Sequence, residues 1–273
     1  MTPGLRVLHS GSQRATPVLE RIAPARAAGF EAISLWPSDV RGVEPAALAA
    51  ALAEAGLRVA EVEVIANWLP AHPAAPHPFW EPLKWQTPVR LFDLATTFAA
   101  PTVSAVELFG LPFDGPAMAA SFRELCHRAA DRGLRVALEF VPSGGIAGLA
   151  EAWEVVERAD CANGGLMVDA CHFHTSRSDP DLLARIPGER IFSIQLADAG
   201  AEAGPDMVDR QLDRLLPGAG VIDMGTFMRA LAATGTRAPA GIEMFSGALD
   251  ALTADEAAQT CAAALDHCLL MGA

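Results

Sequence analysis

The run Gly165-Leu-Met-Val-Asp-Ala-Cys-His172 decides how the chain is read. It is an apolar segment that ends in Asp169, with His172 three residues on, where the chain must turn. A carboxylate at the end of a buried strand is costly to desolvate unless something charged meets it, so Asp169 reads as a ligand or a catalyst. Three neighbouring runs end in the same manner: Arg135-Val-Ala-Leu-Glu139 before it, and Ile191-Phe-Ser-Ile-Gln195 and Gly241-Ile-Glu243 after it. Placed side by side, the four strand ends would form one cluster of oxygen donors.

Working outward, the chain repeats a strand–helix rhythm. Strands are expected at Leu5–His9, Ala32–Trp36, Arg58–Val64, Thr102–Phe109, Arg135–Phe140, Gly165–Asp169, Ile191–Leu196 and Ala240–Met244. Between them lie helical segments with start and stop signals, such as Thr16-Pro17, Gly56 after an alanine-rich run, Thr87-Pro88, Gly115-Pro116 and Asp179-Pro180. Eight strands alternating with eight helices predict a single-domain α/β fold over residues 1–273, a (β/α)8 TIM barrel, with an open doubly wound sheet as the alternative. The stretch 66–87, rich in Pro and Trp, breaks the rhythm. It reads as a long loop that controls access to the site without supplying the chemistry.

Composition narrows the function classes. Apolar residues make up 51% of the chain and charged ones 19%, enough for a large core and too ordered for disorder. A net charge of -13 argues against a nucleic-acid partner, which would need clustered Lys and Arg. No apolar run reaches the roughly 20 residues that span a bilayer, and the start lacks a basic region followed by an apolar one, so a cytoplasmic protein is expected. The five cysteines are scattered without Cys-x-x-Cys spacing and read as free thiols. The one lysine, Lys84, sits in the Pro- and Trp-rich loop, which leaves little basis for Schiff-base chemistry. Gly144-Gly145 and Pro217-Gly-Ala-Gly220 lack the spacing of a nucleotide fingerprint. The expected partner is a small-molecule substrate, with no nucleic acid and no membrane; a homo-oligomer is compatible with this reading.

In a barrel of this kind the reactive residues sit at the C-terminal strand ends, where Glu139, Asp169, Gln195 and Glu243 fall. Three carboxylates crowded in a partly desolvated mouth repel, and a divalent cation removes that repulsion. An all-oxygen donor set suits Mn²⁺ or Mg²⁺ better than zinc. The bland alternative is a set of salt-bridged structural carboxylates.

The ordered motifs Leu-Glu139-Phe, Val-Asp169-Ala-Cys-His172, Ile-Gln195-Leu-Ala-Asp198, Leu-Pro217-Gly-Ala-Gly220 and Ile-Glu243-Met resemble the xylose-isomerase-like TIM-barrel superfamily. Within it the chain is most similar to the sugar isomerase/epimerase branch that includes tagatose 3-epimerase and inosose isomerase. The resemblance implies that Glu139, Asp169, Gln195 and Glu243 ligate the metal, that Glu139 and Glu243 are also the catalytic acid/base pair, and that His172 contacts the substrate. Two positions depart from the pattern. The family usually has histidine where Gln195 stands, and an arginine often found six residues later is Ala201 here, which counts against a typical ketose substrate. The expected chemistry is isomerisation or epimerisation of a sugar, polyol or related keto compound, in which a carboxylate takes the α-proton and a cation stabilises the enediolate. A metal-dependent dehydratase and a non-catalytic barrel are the alternatives. A DNA-repair endonuclease of the same superfamily would need more histidine ligands and a basic surface.

Further residues have two readings each. His9 and Trp36 either line the pocket or belong to the core. Glu63 and Glu107 either meet substrate or the metal cluster, or form a salt bridge in the barrel. His174 reads as solvated. Trp68, Phe79, Trp80, Trp85, Phe109 and Phe113 either pack on a substrate face or anchor their loops. Arg210 and Arg214, one helical turn apart, read as a solvated pair in preference to a phosphate site.

Overall fold

The computed structural model describes residues 1–70, 78–201 and 213–272. Eight parallel strands close into a barrel in chain order. They are β1 (Arg6–Leu8), β2 (Ala32–Leu35), β3 (Arg58–Ile65), β4 (Thr102–Val106), β5 (Arg135–Glu139), β6 (Gly164–Asp169), β7 (Ile191–Leu196) and β8 (Ala240–Ile242). Closure is made by β8 against β1, with Val7 opposite Gly241 and Leu8 opposite Ile242. The open-sheet alternative is thereby excluded.

The local causes are visible in the sequence. Strands covered on both faces are buried throughout, as in Gly-Gly-Leu-Met-Val-Asp of β6 and Ile-Phe-Ser-Ile-Gln-Leu of β7. The outer helices bury a single stripe. In Leu149–Ala159 the buried positions are Leu149, Ala152, Val155, Val156 and Ala159, the spacing of one helical face. Helix starts are held by side chains: Asp114 accepts from the Ala117 amide at 3.0 Å, and Thr253 with Glu256 forms a reciprocal cap on Ala254–Met271. The expected Thr16 cap is not made. The first helix begins at Val18, and Pro17 stands at its cap position.

The strand edges shift modestly from expectation: β4 stops at Val106 and β8 at Ile242, so Glu243 lies just beyond its strand. Between β6 and the helix Pro180–Arg185 there is an extra short helix, Ala170–Thr175. Its cap is Asp169, whose Oδ1 accepts from the His172 amide at 2.7 Å. The stretch 66–87 is not loop throughout, since Pro78–Trp85 forms a 3-10 helix; residues 71–77, with His72 and His77, lie outside the described residues. Among the described residues no helix is long and apolar enough to cross a membrane, and all five cysteines are free and buried.

Candidate active site

Strand register places the four expected ligands on one face. Glu139 pairs with Met167, two residues before Asp169; Asp169 pairs with Gln195; and Gln195 pairs with Gly241, two residues before Glu243. Side chains alternate along a strand, so even offsets keep all four pointing the same way. Asp169 and Gln195 are buried, Glu243 and His172 nearly so. Glu139, His172 and Glu243 line a cavity of about 150 Å³ with Trp36, Glu63, Leu83, Gln86 and Phe245, whereas Asp169 and Gln195 are not among its lining residues. A volume of that order takes a six-membered ring.

The carboxylates of Glu139 and Asp169 and the His172 imidazole each offer a ligand atom, all within 4.8 Å of one another. Glu139 Oε1 lies 3.4 Å from His172 Nε2. Glu243 reaches this group through Arg214. The guanidinium donates from Nη1 to Asp169 Oδ2 at 2.8 Å, to the Glu243 carbonyl at 3.0 Å and to Glu243 Oε2 at 3.3 Å. Its Nη2 lies 3.3 Å from His172 Nε2, and its plane covers the Phe245 ring at 5.1 Å. Arg214 is 2% exposed, so its reading as a solvated residue is corrected. Arg210, its expected companion, lies outside the described residues. The backbone explains the burial: the Arg214 amide donates to the Phe245 carbonyl at 2.7 Å, and Leu215 bridges Asp198.

The electrostatics follow from burial and from Arg214. Burial raises the Glu139 pKa, and it raises that of Glu243 further, with Glu63 adding repulsion. At Asp169 burial pushes the same way, but the Arg214 and His172 charges and their hydrogen bonds outweigh it, and the net direction is down. Asp169 and Glu243 thus share the Arg214 guanidinium, while Glu139 faces His172.

Gln195 bears on whether a divalent cation fits. Its Oε1 is buried and has no hydrogen-bond partner among the described residues. An orphaned amide oxygen is costly to bury and is relieved by an electrophile. Together with three carboxylates it forms a hard-donor set, so the residues fit a divalent cation. Arg214 already engages oxygens of two of the four.

A second buried group lies close by. His9 Nδ1 is 3.1 Å from Glu63 Oε1 and 3.3 Å from Glu61 Oε1, and Ser193 Oγ donates to Glu61 Oε1 at 2.8 Å. Burial lowers the His9 pKa, yet the Glu63 hydrogen bond and both carboxylates reverse the direction to a net rise. Burial and the Glu63 charge push Glu61 up to about 8. At Glu63 burial is outweighed by the bonds from His9, and its pKa falls. His9, read from the sequence as lining the pocket or belonging to the core, is buried in this group, whereas Glu61 was not singled out. The signal for Glu61 was its spacing two before Glu63, which puts both on one side of β3.

Other expectations separate cleanly. Among the described residues Glu107 has no ion pair: its carboxylate accepts from the Phe109 amide at 2.7 Å and from the Gly145 amide. Gly145 and Gly144 permit that approach, because a Cβ on either would strike a backbone carbonyl of the loop after β4. Asp198 accepts amides of Ala199, Gly218, Gly220 and Ile222 at 2.8 to 3.0 Å, which accounts for the Pro217-Gly-Ala-Gly220 run as a loop folded around a carboxylate. Trp68 is an anchor, with Nε1 donating to the Val106 carbonyl at 2.7 Å and its ring edge-on to Phe122. Phe109 is buried, whereas Trp85 and Phe113 are exposed; the side chains of Phe79 and Trp80 lie outside the described residues. Among the described residues the aromatics at the cavity are Trp36 and Phe245, stacked at 5.7 Å. His174 is exposed, as expected.

Over 130 residues the chain is 38% identical to 3-dehydroshikimate dehydratase of Pseudomonas aeruginosa, an overlap of 47% of this chain and 20% of that protein. Over 139 residues it is 34% identical to inosose isomerase of Bacillus subtilis, covering 50% of this chain and 49% of the relative. These matches span between a fifth and a half of the length of the curated relatives. Among solved structures, the IOLI protein crystallised with a zinc atom superposes with a TM-score of 0.85 at 20% identity, over 97% of this chain and 98% of that one. L-ribulose 3-epimerase superposes with a TM-score of 0.72 at 19% identity, over 100% and 96%. At such identities the structures show a shared fold. Residues 22–266 match the model of one family, and the chain belongs to it: the xylose isomerase-like TIM barrel family.

Proposed function

We propose that the protein is a divalent-cation-dependent isomerase or epimerase of a small polyhydroxylated keto compound, and that its reaction begins by removing a proton next to the carbonyl. The observation that carries this is the strand register that puts Glu139, Asp169, Gln195 and Glu243 on one face, with Glu139 and Glu243 lining the cavity and the Gln195 Oε1 buried and orphaned among the described residues. Those four residues would hold the cation, with Mn²⁺ or Mg²⁺ favoured by the oxygen donors. A cation held there would supply a Lewis acid for the substrate carbonyl.

The chain's own residues do the rest. Glu139 and Glu243 come from β5 and from the end of β8, far apart in the ligand series, so their carboxylates are suited to reach different faces of one substrate. One removes the α-proton and the other returns it. Burial keeps both groups eager for a proton, which favours the acid role in whichever of them carries it. His172, 3.4 Å from Glu139, is placed to hydrogen-bond a substrate hydroxyl or carbonyl. Trp36 and Phe245 offer apolar faces to the C–H side of a ring.

A second reading is dehydration, which shares the first proton transfer and then expels a β-hydroxyl. The 38% identity to a 3-dehydroshikimate dehydratase favours it specifically. Inosose and 3-dehydroshikimate, incubated with the protein and Mn²⁺ or Mg²⁺ in D₂O, test both. Isomerisation or epimerisation should incorporate deuterium at the α-carbon, dehydration should show a primary isotope effect with substrate deuterated there, and Glu139→Gln and Glu243→Gln should each slow turnover by roughly 10²- to 10⁴-fold. A product isomeric with its substrate marks the isomerase, and a conjugated product one water lighter marks the dehydratase. Turnover without exchange or isotope effect, undiminished in both variants, would overturn the proposal.

A further inference from the structure

Side chains that the proposed reaction leaves unused lie against Gln195. Glu63 Oε2 accepts from Gln195 Nε2 at 3.3 Å, while Gln195 Oε1 is buried and without a partner among the described residues. The two ends of an amide have nearly the same shape, so the neighbours decide which end faces which way. A carboxylate oxygen attracts the NH₂ end and repels the carbonyl. With Glu63 on one side, the amide oxygen is turned to the other.

Glu63 is itself held. His9 Nδ1 donates to its Oε1 at 3.1 Å, and the same nitrogen lies 3.3 Å from Glu61, whose carboxylate accepts from Ser193. The His9 ring fits because residue 241 is glycine, where a Cβ would lie 2.8 Å from the ring and strike the Val7 carbonyl. A chain of four side chains from β1's end, β3 and β7 therefore terminates on the one neutral member of the ligand set.

We propose that Glu63 is a positioning residue that fixes the Gln195 amide with its oxygen toward the cation site, backed by His9. This rests on the cation site proposed above. An amide free to turn would present NH₂ to a cation in part of the population, and lost supports of metal ligands typically cost 10- to 100-fold in affinity.

Mn²⁺ alone is the probe, titrated into the full chain at pH 7 by calorimetry, with unfolding in chelator as the folding control. Glu63→Met should weaken Mn²⁺ binding by about 10- to 100-fold. Gln195→Met should also weaken it, and in the Gln195→Met background the loss from Glu63→Met should shrink to within about threefold, because the hydrogen-bonding part of the Glu63 effect passes through that amide. Glu63→Gln keeps a carbonyl acceptor for Gln195, so its affinity should stay within about threefold of the parent. That variant decides the matter should Glu63→Met not fold. Unchanged affinity in Glu63→Met, losses that multiply in the double variant, or a tenfold loss in Glu63→Gln would each overturn the positioning role while leaving the cation site standing. If the unaltered protein binds no Mn²⁺, the cation site and the positioning role fall together.

Discussion

Replacing Arg214 by methionine separates its structural contribution from that of a bound cation. The side chain is fully enclosed, 2.8 Å from Asp169 and 3.3 Å from Glu243, and it is the basic group that bridges them. Methionine keeps much of the apolar stem over Phe245 but leaves two buried carboxylates without their counter-charge. Removing one partner of a buried ion pair costs about 3 to 5 kcal/mol. For a chain of this size that corresponds to a fall in melting temperature of roughly 10 °C in chelator at pH 7. The penalty depends on ionisation. Arg214 outweighs the burial of Asp169 and holds its pKa down, so the stabilisation is present above the ordinary aspartate range and disappears as pH falls through the depressed value. The gap between the two proteins should therefore close at low pH. A divalent cation supplied at about 100 times its dissociation constant should stabilise the variant by about 2.7 kcal/mol, and it should narrow the gap at pH 7 because the variant binds the cation more tightly than the parent, one positive charge having left the cluster. Thermal unfolding with and without Mn²⁺, from pH 3 to 8, provides the assay. A variant as stable as the parent in chelator would refute the ion-pair reasoning, and a deficit that no cation reduces would refute the idea that cation and guanidinium serve the same oxygens.

The remaining predictions concern neighbouring parts of the barrel. Trp68→Ala should cost about 3 kcal/mol in chemical denaturation, through its packing on Phe122 and its bond to Val106, with little change in KM, because the ring anchors the loop and does not line the cavity. Glu61→Gln should flatten the pH dependence of stability in chelator: with the folded carboxyl at about 8 against an ordinary 4.5, its contribution is complete below about 4.5 and is lost as pH rises through 8. An unchanged melting profile between those limits would show that Glu61 does not titrate there. Asp198→Ala should loosen the loop after β7 and lower stability by several kcal/mol, on the basis of four amide donors left unpaired at about 1 to 3 kcal/mol each, and hydrogen exchange at Gly218, Gly220 and Ile222 should speed up together.

What the sequence could and could not reveal divides along the range of the interactions involved. Glu139, Asp169, Gln195 and Glu243 were legible because each ends its own apolar run, and because parallel register with even offsets converts four local patterns into one inward face. That needs only the strand period and the barrel order. Arg214 was not legible. It follows a polar insertion, where an arginine is ordinarily solvated, and the leucines beside it, Leu212, Leu215 and Leu216, do not by themselves say that the guanidinium is buried. Its position is set from elsewhere in the chain: the Phe245 carbonyl takes its amide, the Asp198–Leu215 bridge fixes the next residue, and Asp198 gathers the glycines beyond. The Asp198 motif could be seen as a motif, yet its effect, to bring a cation into an acidic mouth, depends on contacts many residues away. The same distance hides the pairing of His9 with Glu61, since one residue follows β1 and the other lies on β3, and only the folded barrel brings them together. Strand-end chemistry can thus be read from a single chain, whereas the charges that balance it arrive through loop and barrel closure. Among the described residues Glu139, Asp169 and Glu243, with Glu63 beside them, face the one guanidinium of Arg214, and that shortfall of positive charge is the physical reason to look for a divalent cation there.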